Sequence, residues 1–146
     1  QVCGILVSER VDEVEDNVFH TPSRINSTWG GNIVDMMRFK KYLEIMVEDN
    51  LVENARVVGD HLLNKITELS QTRPDVISNP RGKGLICAMD IADVKTRGSL
   101  ISKIFDKGVI VLPCGEKTIR FRPPLIITKE LIDETFEVIE KSIKEL

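Results

Sequence analysis

The chain has 146 residues, of which 42% are hydrophobic and 29% charged, a balance that excludes an intrinsically disordered tail and is sufficient for one ordinary domain with its own core. The formal net charge of −3 provides no field to draw in nucleic acid or an anionic membrane. Cys3, Cys87 and Cys114 are far apart and form no CxxC pair, which argues for a reducing, cytoplasmic compartment and against a structural metal.

The first residue is Gln1, and the apolar run Val2 to Val7 follows at once. It reads as a buried strand, a poor place for a natural terminus, so a piece of a longer protein is expected. Val11 to Asn17 is acidic with room for a helical turn; its Asp12, Glu13, Glu15 and Asp16 read as a solvated patch. Val18 to Asn32 is a long loop, and loops of that length are usually functional or disordered.

Asn32, with Asp35 three positions on, predicts a helix N-cap. Met36, Phe39, Leu43 and Val47 then keep helical spacing. Asn50 and Glu53 form a second capping signal, predicting a kink or a new helix. Its apolar stripe is Val52, Ala55, Val58, Leu62, Ile66 and Leu69, and it stops at Arg73-Pro74. Strands are predicted at Val76 to Ser78 and Leu85 to Ile91, around Gly82-Lys83-Gly84. A short helix over Ser99 to Asp106 closes at Lys107-Gly108. Val109 to Leu112 and Thr118 to Arg122 are strands flanking the turn Pro113 to Lys117. Thr128 caps a last amphipathic helix with Leu131, Thr135, Val138 and Ile139 on its apolar side. The order is that of an α+β domain with helices on one face of a mostly antiparallel sheet.

Two places carry candidate chemistry. Asn26-Ser27-Thr28-Trp29-Gly30-Gly31-Asn32 runs into a helix N-terminus. Hydroxyls, amides freed by two glycines and the positive helix end make an anion seat there; a polar turn closed by a helix cap accounts for the same residues. In Arg120-Phe121-Arg122-Pro123-Pro124, strand alternation puts the two arginines on one face. A guanidinium held beside a cleft grips a carboxylate through two parallel hydrogen bonds. Solvated arginines on an edge strand ended by Pro-Pro fit the same pattern. His20 and His61 stand alone, and Arg81-Gly82-Lys83-Gly84 lacks the length and ending of a P-loop, so a tight turn is expected.

Gln1-Val2-Cys3-Gly4, Ser27-Thr28-Trp29-Gly30-Gly31-Asn32 and Ile119-Arg120-Phe121-Arg122-Pro123-Pro124-Leu125 occur in this order in the class III pyridoxal-phosphate-dependent aminotransferases. The resemblance extends over the whole chain, and within the class the pattern is most similar to the lysine 6-aminotransferases. It implies part of a fold-type-I homodimer that moves the ε-amino group of lysine to 2-oxoglutarate through pyridoxal 5'-phosphate. Residues 1–32 would be the end of the cofactor-binding large domain, and 33–146 the connecting helices and small C-terminal α+β domain. Thr28 would donate to the cofactor phosphate across the dimer interface, with Ser27 and Asn26 as neighbours. Arg120 would bind the α-carboxylate of lysine or a carboxylate of 2-oxoglutarate; Arg122 acquires no role. The lysine that carries the cofactor in this family lies upstream of the position of Gln1, so the chain alone is expected to be inactive, with no catalytic residue of its own. Many members have proline after Gly-Gly-Asn where this chain has Ile33, which favours the lysine type, with ornithine and 4-aminobutyrate as alternative donors. A non-catalytic α+β binding module is the rival from another class. An isolated chain of this kind is expected to pair with itself or leave its first stretch poorly ordered, since its apolar faces lack their usual cover.

Overall fold

The computed structural model describes residues 4–21, 23–25 and 27–146. The chain divides into two compact units, Gln1–Asp49 and Asn50–Leu146.

In the first unit the helical turn α1 spans Glu9–Asp12 and the helix α2 spans Ile33–Glu48. The strand expected over Gln1 to Val7 is not formed in its described part. Residues 4–8 have no regular structure and Leu6 is fully exposed, because a strand exists only where a second strand satisfies its amides and carbonyls. Gln1, Val2 and Cys3 lie outside the described residues, as do Pro22 and Asn26. The long connection between the helices is organised around Asn17, a buried polar side chain. Its Nδ2 donates to the carbonyls of Asp12 at 3.1 Å and Val14 at 3.0 Å. Its Oδ1 accepts from the amides of Phe19 at 2.8 Å and His20 at 3.2 Å. One side chain thus replaces several backbone partners that an irregular segment lacks. Arg24 adds a hydrogen bond to the Asp16 carbonyl.

The second unit opens with Asn50 at φ 50°, a left-handed residue that separates α2 from the helix α3, Leu51–Thr72. Asn50 makes no side-chain cap. It acts through its backbone, since asparagine tolerates this conformation better than most residues. The α3 stripe is buried at Val58, Leu62, Ile66 and Leu69, but Leu51 is its first buried residue and Val52 is 69% exposed.

After Arg73-Pro74 the strands β1 (Ile77–Lys83) and β2 (Ile86–Ile91) form an antiparallel hairpin. β1 is longer than expected because a bulge between Ser78 and Arg81, with Asn79 at φ 52°, carries the pairing past Pro80. The helix α4, Val94–Asp106, begins five positions before the expected Ser99. Asp93 accepts from the Thr96 amide at 2.9 Å, and this cap outweighs the helix-weakening Gly98. The edge strand β3 is Leu112–Cys114 rather than Val109 to Leu112, and β4 is Thr118–Phe121. The turn between them is pivoted on Gly115 at φ 52°, and an edge tolerates Pro113 because its missing amide faces no partner strand. Thr128 caps the helix α5, Lys129–Lys144, with its hydroxyl accepting from the Leu131 amide. The buried α5 stripe is Ile132, Phe136, Ile139 and Ile143, whereas Leu131 is exposed.

The sheet order is β1-β2-β4-β3, with every pairing antiparallel. Cys87, Met89 and Ile91 of β2, with Ile119 and Phe121 of β4, join the buried stripes of α3, α4 and α5 in one core. Their alternates, Ala88, Asp90, Thr118 and Arg120, therefore lie on the opposite face. Helices cover one face only, the expected α+β arrangement. Phe121 and Phe136 stack across the core with ring centroids 6.0 Å apart. Each fully buried side chain of this size contributes roughly 1.5–3 kcal/mol. The β1–β2 turn at Gly84 presses against Gly59 of α3, so closely that a Cβ on Gly59 would lie 2.3 Å from the Gly84 carbonyl carbon.

Candidate functional site

In the first unit, Ser27 and Thr28 are exposed at the start of a turn closed by the Gly30 amide donating to the Ser27 carbonyl at 3.0 Å. Gly31 has φ 76° and leads into Asn32, whose Oδ1 accepts from the amides of Val34 at 2.9 Å and Asp35 at 3.3 Å. The predicted N-cap is therefore present. The helix end spends those two amides on its own asparagine. The Ser27 and Thr28 hydroxyls have no hydrogen bond among the described residues. Asn26 is outside those residues. The acidic patch of Asp12, Glu13, Glu15 and Asp16 is exposed, and no metal-binding cluster of His, Cys, Asp or Glu occurs among the described residues. His20 contacts Asn17 and Asp12.

In the second unit, Arg120 sits on β4, an interior strand between β2 and β3; the alternative of solvated arginines on an edge strand does not hold. Arg120 is half-buried, and its Nε has no partner although that atom is shielded from water. No ion pair among the described residues includes Arg120 or Arg122. Both arginines line a cleft of about 360 Å³ whose other walls include Val109, Val111, Leu112 and Ile127. Leaving a donor unbonded in such a place costs about 1–3 kcal/mol, so the position selects for an incoming acceptor. Arg122 lies past the end of β4 and is exposed. The Pro123-Pro124 segment beyond is tied down by Asn54 of α3, whose Nδ2 donates to the carbonyls of Leu125 at 2.7 Å and Ile127 at 3.1 Å. Sequence reading missed Asn54, since its partners are 71 and 73 residues away.

Beside Arg120 the open sheet face holds one carboxylate, Asp90. Its Oδ1 accepts from the Thr118 hydroxyl at 2.6 Å and pairs with the Arg81 guanidinium at 3.0 Å. Its Oδ2 accepts from Asn79 Nδ2 at 2.9 Å. Arg81 also donates to the Asn79 carbonyl at 2.9 Å. Arg81-Gly82-Lys83-Gly84 is thus a strand end and turn, and Gly82 is required because a Cβ there would meet Cys87 Sγ at 2.5 Å. The Thr118 hydroxyl first, and then Asn79 and Arg81, hold the Asp90 carboxyl below the usual carboxylate range. The unfolded carboxyl binds its proton more tightly, so stability rises with pH between the folded and unfolded values. The Asp90 contribution is present above about pH 4 and is lost as acid titrates the folded group. Urea unfolding followed as pH is lowered below 4 should show a shallower loss for Asp90→Asn than for the unaltered chain; equal slopes would remove this assignment. His61, 25% exposed at its side chain, pairs with Asp133 of α5 at 2.9 Å, and Lys65 pairs with the same oxygen at 2.8 Å, joining the two helices.

The profile of the family Aminotransferase class-III matches residues 6–143, nearly the whole chain. The chain belongs to the class-III aminotransferases. It is 43% identical over 98% of its length to L-lysine-epsilon aminotransferase of Mycobacterium tuberculosis, covering 32% of that protein. The corresponding protein of Amycolatopsis lactamdurans is 40% identical over the same share. A solved structure, lysine aminotransferase from M. tuberculosis in the internal aldimine form, superposes with a TM-score of 0.88 at 43% identity, covering 99% of this chain and 33% of that one. The chain therefore spans about a third of the length of the relatives it matches. Class-III aminotransferases depend on pyridoxal phosphate, a group with a phosphate dianion. The hydroxyls of Ser27 and Thr28, unbonded among the described residues and on a turn closed by the Gly30 amide, fit such an anion.

Proposed function

We propose that this chain is the C-terminal part of an aminotransferase that moves the ε-amino group of L-lysine to 2-oxoglutarate. The observation that carries the reading is the unpartnered, shielded Nε of Arg120 in a mostly apolar cleft that Arg122 also lines, inside a chain similar over its whole length to lysine ε-aminotransferases. Arg120 grips the α-carboxylate of lysine in one half of the reaction and a carboxylate of 2-oxoglutarate in the other. Thr28, with Ser27 beside it, anchors the cofactor phosphate, reaching the active site of a second copy in a homodimer. Pyridoxal phosphate, when bound, supplies the electron sink for the transfer; these residues supply position and charge. Residues 1–32 belong to the large domain and 33–146 to the connecting helices and small domain. The cofactor-carrying lysine is not among the lysines of this chain, so these 146 residues do not transaminate alone. The enzyme is cytoplasmic.

Ile33 after Gly-Gly-Asn supports the lysine donor, and relatives named for ornithine or 4-aminobutyrate match at lower identity. The test uses the longer protein that contains this chain. Its visible cofactor band should bleach with lysine and recover with 2-oxoglutarate. Bleaching only with ornithine or 4-aminobutyrate replaces the donor. A protein with no band even after added pyridoxal phosphate sinks the reading.

A further inference from the structure

Between the end of β4 and the start of α5, residues 122–127 form neither helix nor strand. Pro123, Pro124 and Ile127 nevertheless make one wall of the cleft that Arg120 lines from β4. The segment has few means of holding itself in place. Pro123 and Pro124 carry no amide hydrogen. Its internal backbone closure is the Ile127 amide donating to the Pro124 carbonyl at 3.0 Å. Burial adds little, since Leu125 is 39% and Ile126 69% exposed. Among the described residues, one side chain of another element is hydrogen-bonded to residues 123–127. That is the half-buried Asn54 of α3, whose Nδ2 donates to the carbonyls of Leu125 at 2.7 Å and Ile127 at 3.1 Å. Two carbonyl partners fix which end of the carboxamide points at the wall. A neutral group with two hydrogens to donate is needed there; aspartate offers only acceptors, and serine a single donor.

We infer that Asn54 is a positioning residue for substrate binding: its carboxamide ties the Pro123, Pro124 and Ile127 wall of the cleft to α3. The inference rests on the carboxylate role of Arg120 proposed above, which places substrate in this cleft. Asn54 touches no ligand in this scheme. Without it the wall is fixed only at its ends, by β4 and by the Thr128 cap of α5. Each binding event then has to order a loose segment, and that entropy is charged to affinity rather than to turnover. Asn54 lies in the first turn of α3, where a carboxylate favours the helix. Asn54→Asp therefore turns the tether into a repulsion between acceptors while leaving α3 itself intact.

The experiment reads hydrogen–deuterium exchange by peptide in the 146-residue chain. In Asn54→Asp, exchange over residues 122–128 should accelerate about tenfold, as expected for the loss of two hydrogen bonds, with β2 and the middle of α3 unchanged. In the longer enzyme the same substitution should raise the KM for 2-oxoglutarate about tenfold, with kcat altered by less than about twofold. If Asn54→Asp does not fold, Asn54→Ala, which removes the donors without adding acceptors, should give the same pattern at about threefold. Acceleration spread through β2 and α3, or a fall in kcat at constant KM, makes Asn54 a residue of general stability and overturns the inference. A faster wall with an unchanged KM also overturns it where Arg120→Ala still raises that KM. Where Arg120→Ala leaves the KM unchanged as well, the carboxylate reading falls and takes the inference with it.

Discussion

Gly59→Ala should destabilise the chain by about 3 kcal/mol, read as a lower urea midpoint with an unchanged slope. The sign is not obvious from the sequence, because alanine in a helix interior is better than glycine by about 1 kcal/mol. The close approach to the β1–β2 turn reverses it. A Cβ at Gly59 would lie 2.3 Å from both the carbonyl carbon and oxygen of Gly84 and 2.6 Å from its Cα. These are backbone atoms, so no side chain can swing aside. The turn cannot easily be rebuilt either, since Gly84 has φ 55° and a Cβ at Gly82, two residues back, would already meet Cys87. Relief requires moving the hairpin away from α3, which opens the core that Val58 and Leu62 share with Leu85 and Cys87. A variant as stable as the original, or more so, would show that this contact is loose in solution.

The sequence contained the element order because its signals are local. Asn32 and Thr128 are caps whose partners sit two or three residues away, and Arg73-Pro74 ends a helix by sterics within the same dipeptide. Errors arose where the deciding interaction was non-local or backbone-driven. The sequence leaves the phase of α5 open because Leu131 and Ile132 are both apolar, and only packing against α3 and α4 selects Ile132. Helix α4 begins earlier than its apolar spacing implies because Asp93 caps it through the Thr96 amide. The part of the first stretch that is described, Gly4 to Val7, reads as a strand by composition but has no pairing there. The site divides in the same way. Arg120 was legible from alternation and from the motif around it. The residues around it were not: Asp90, Arg81 and Asn54 act through partners that only the folded sheet brings near, and no periodicity marks them.

Arg120→Ala is the substitution with the largest functional effect expected. Truncating one partner of a desolvated charge pair costs about 2–5 kcal/mol, so in the longer enzyme the KM for 2-oxoglutarate should rise about 300-fold at mid-range. Turnover of the amino donor should suffer as well, because one guanidinium is proposed to serve both carboxylates in turn. Arg122→Ala is the internal comparison. Its side chain is exposed beyond the end of β4 and enters no ion pair among the described residues, so it should change KM by less than about threefold, as expected for a solvent-screened charge. Equal losses in the two variants would mean that the cleft responds to summed charge and not to one positioned fork. Stability should move the other way. An arginine with an unpartnered, shielded Nε is a cost to the folded state, so Arg120→Ala should leave the thermal midpoint of this chain unchanged or raised. A residue whose removal stabilises the fold while abolishing ligand affinity is held there by the ligand, whereas a large fall in midpoint would make Arg120 a structural residue and withdraw the carboxylate assignment.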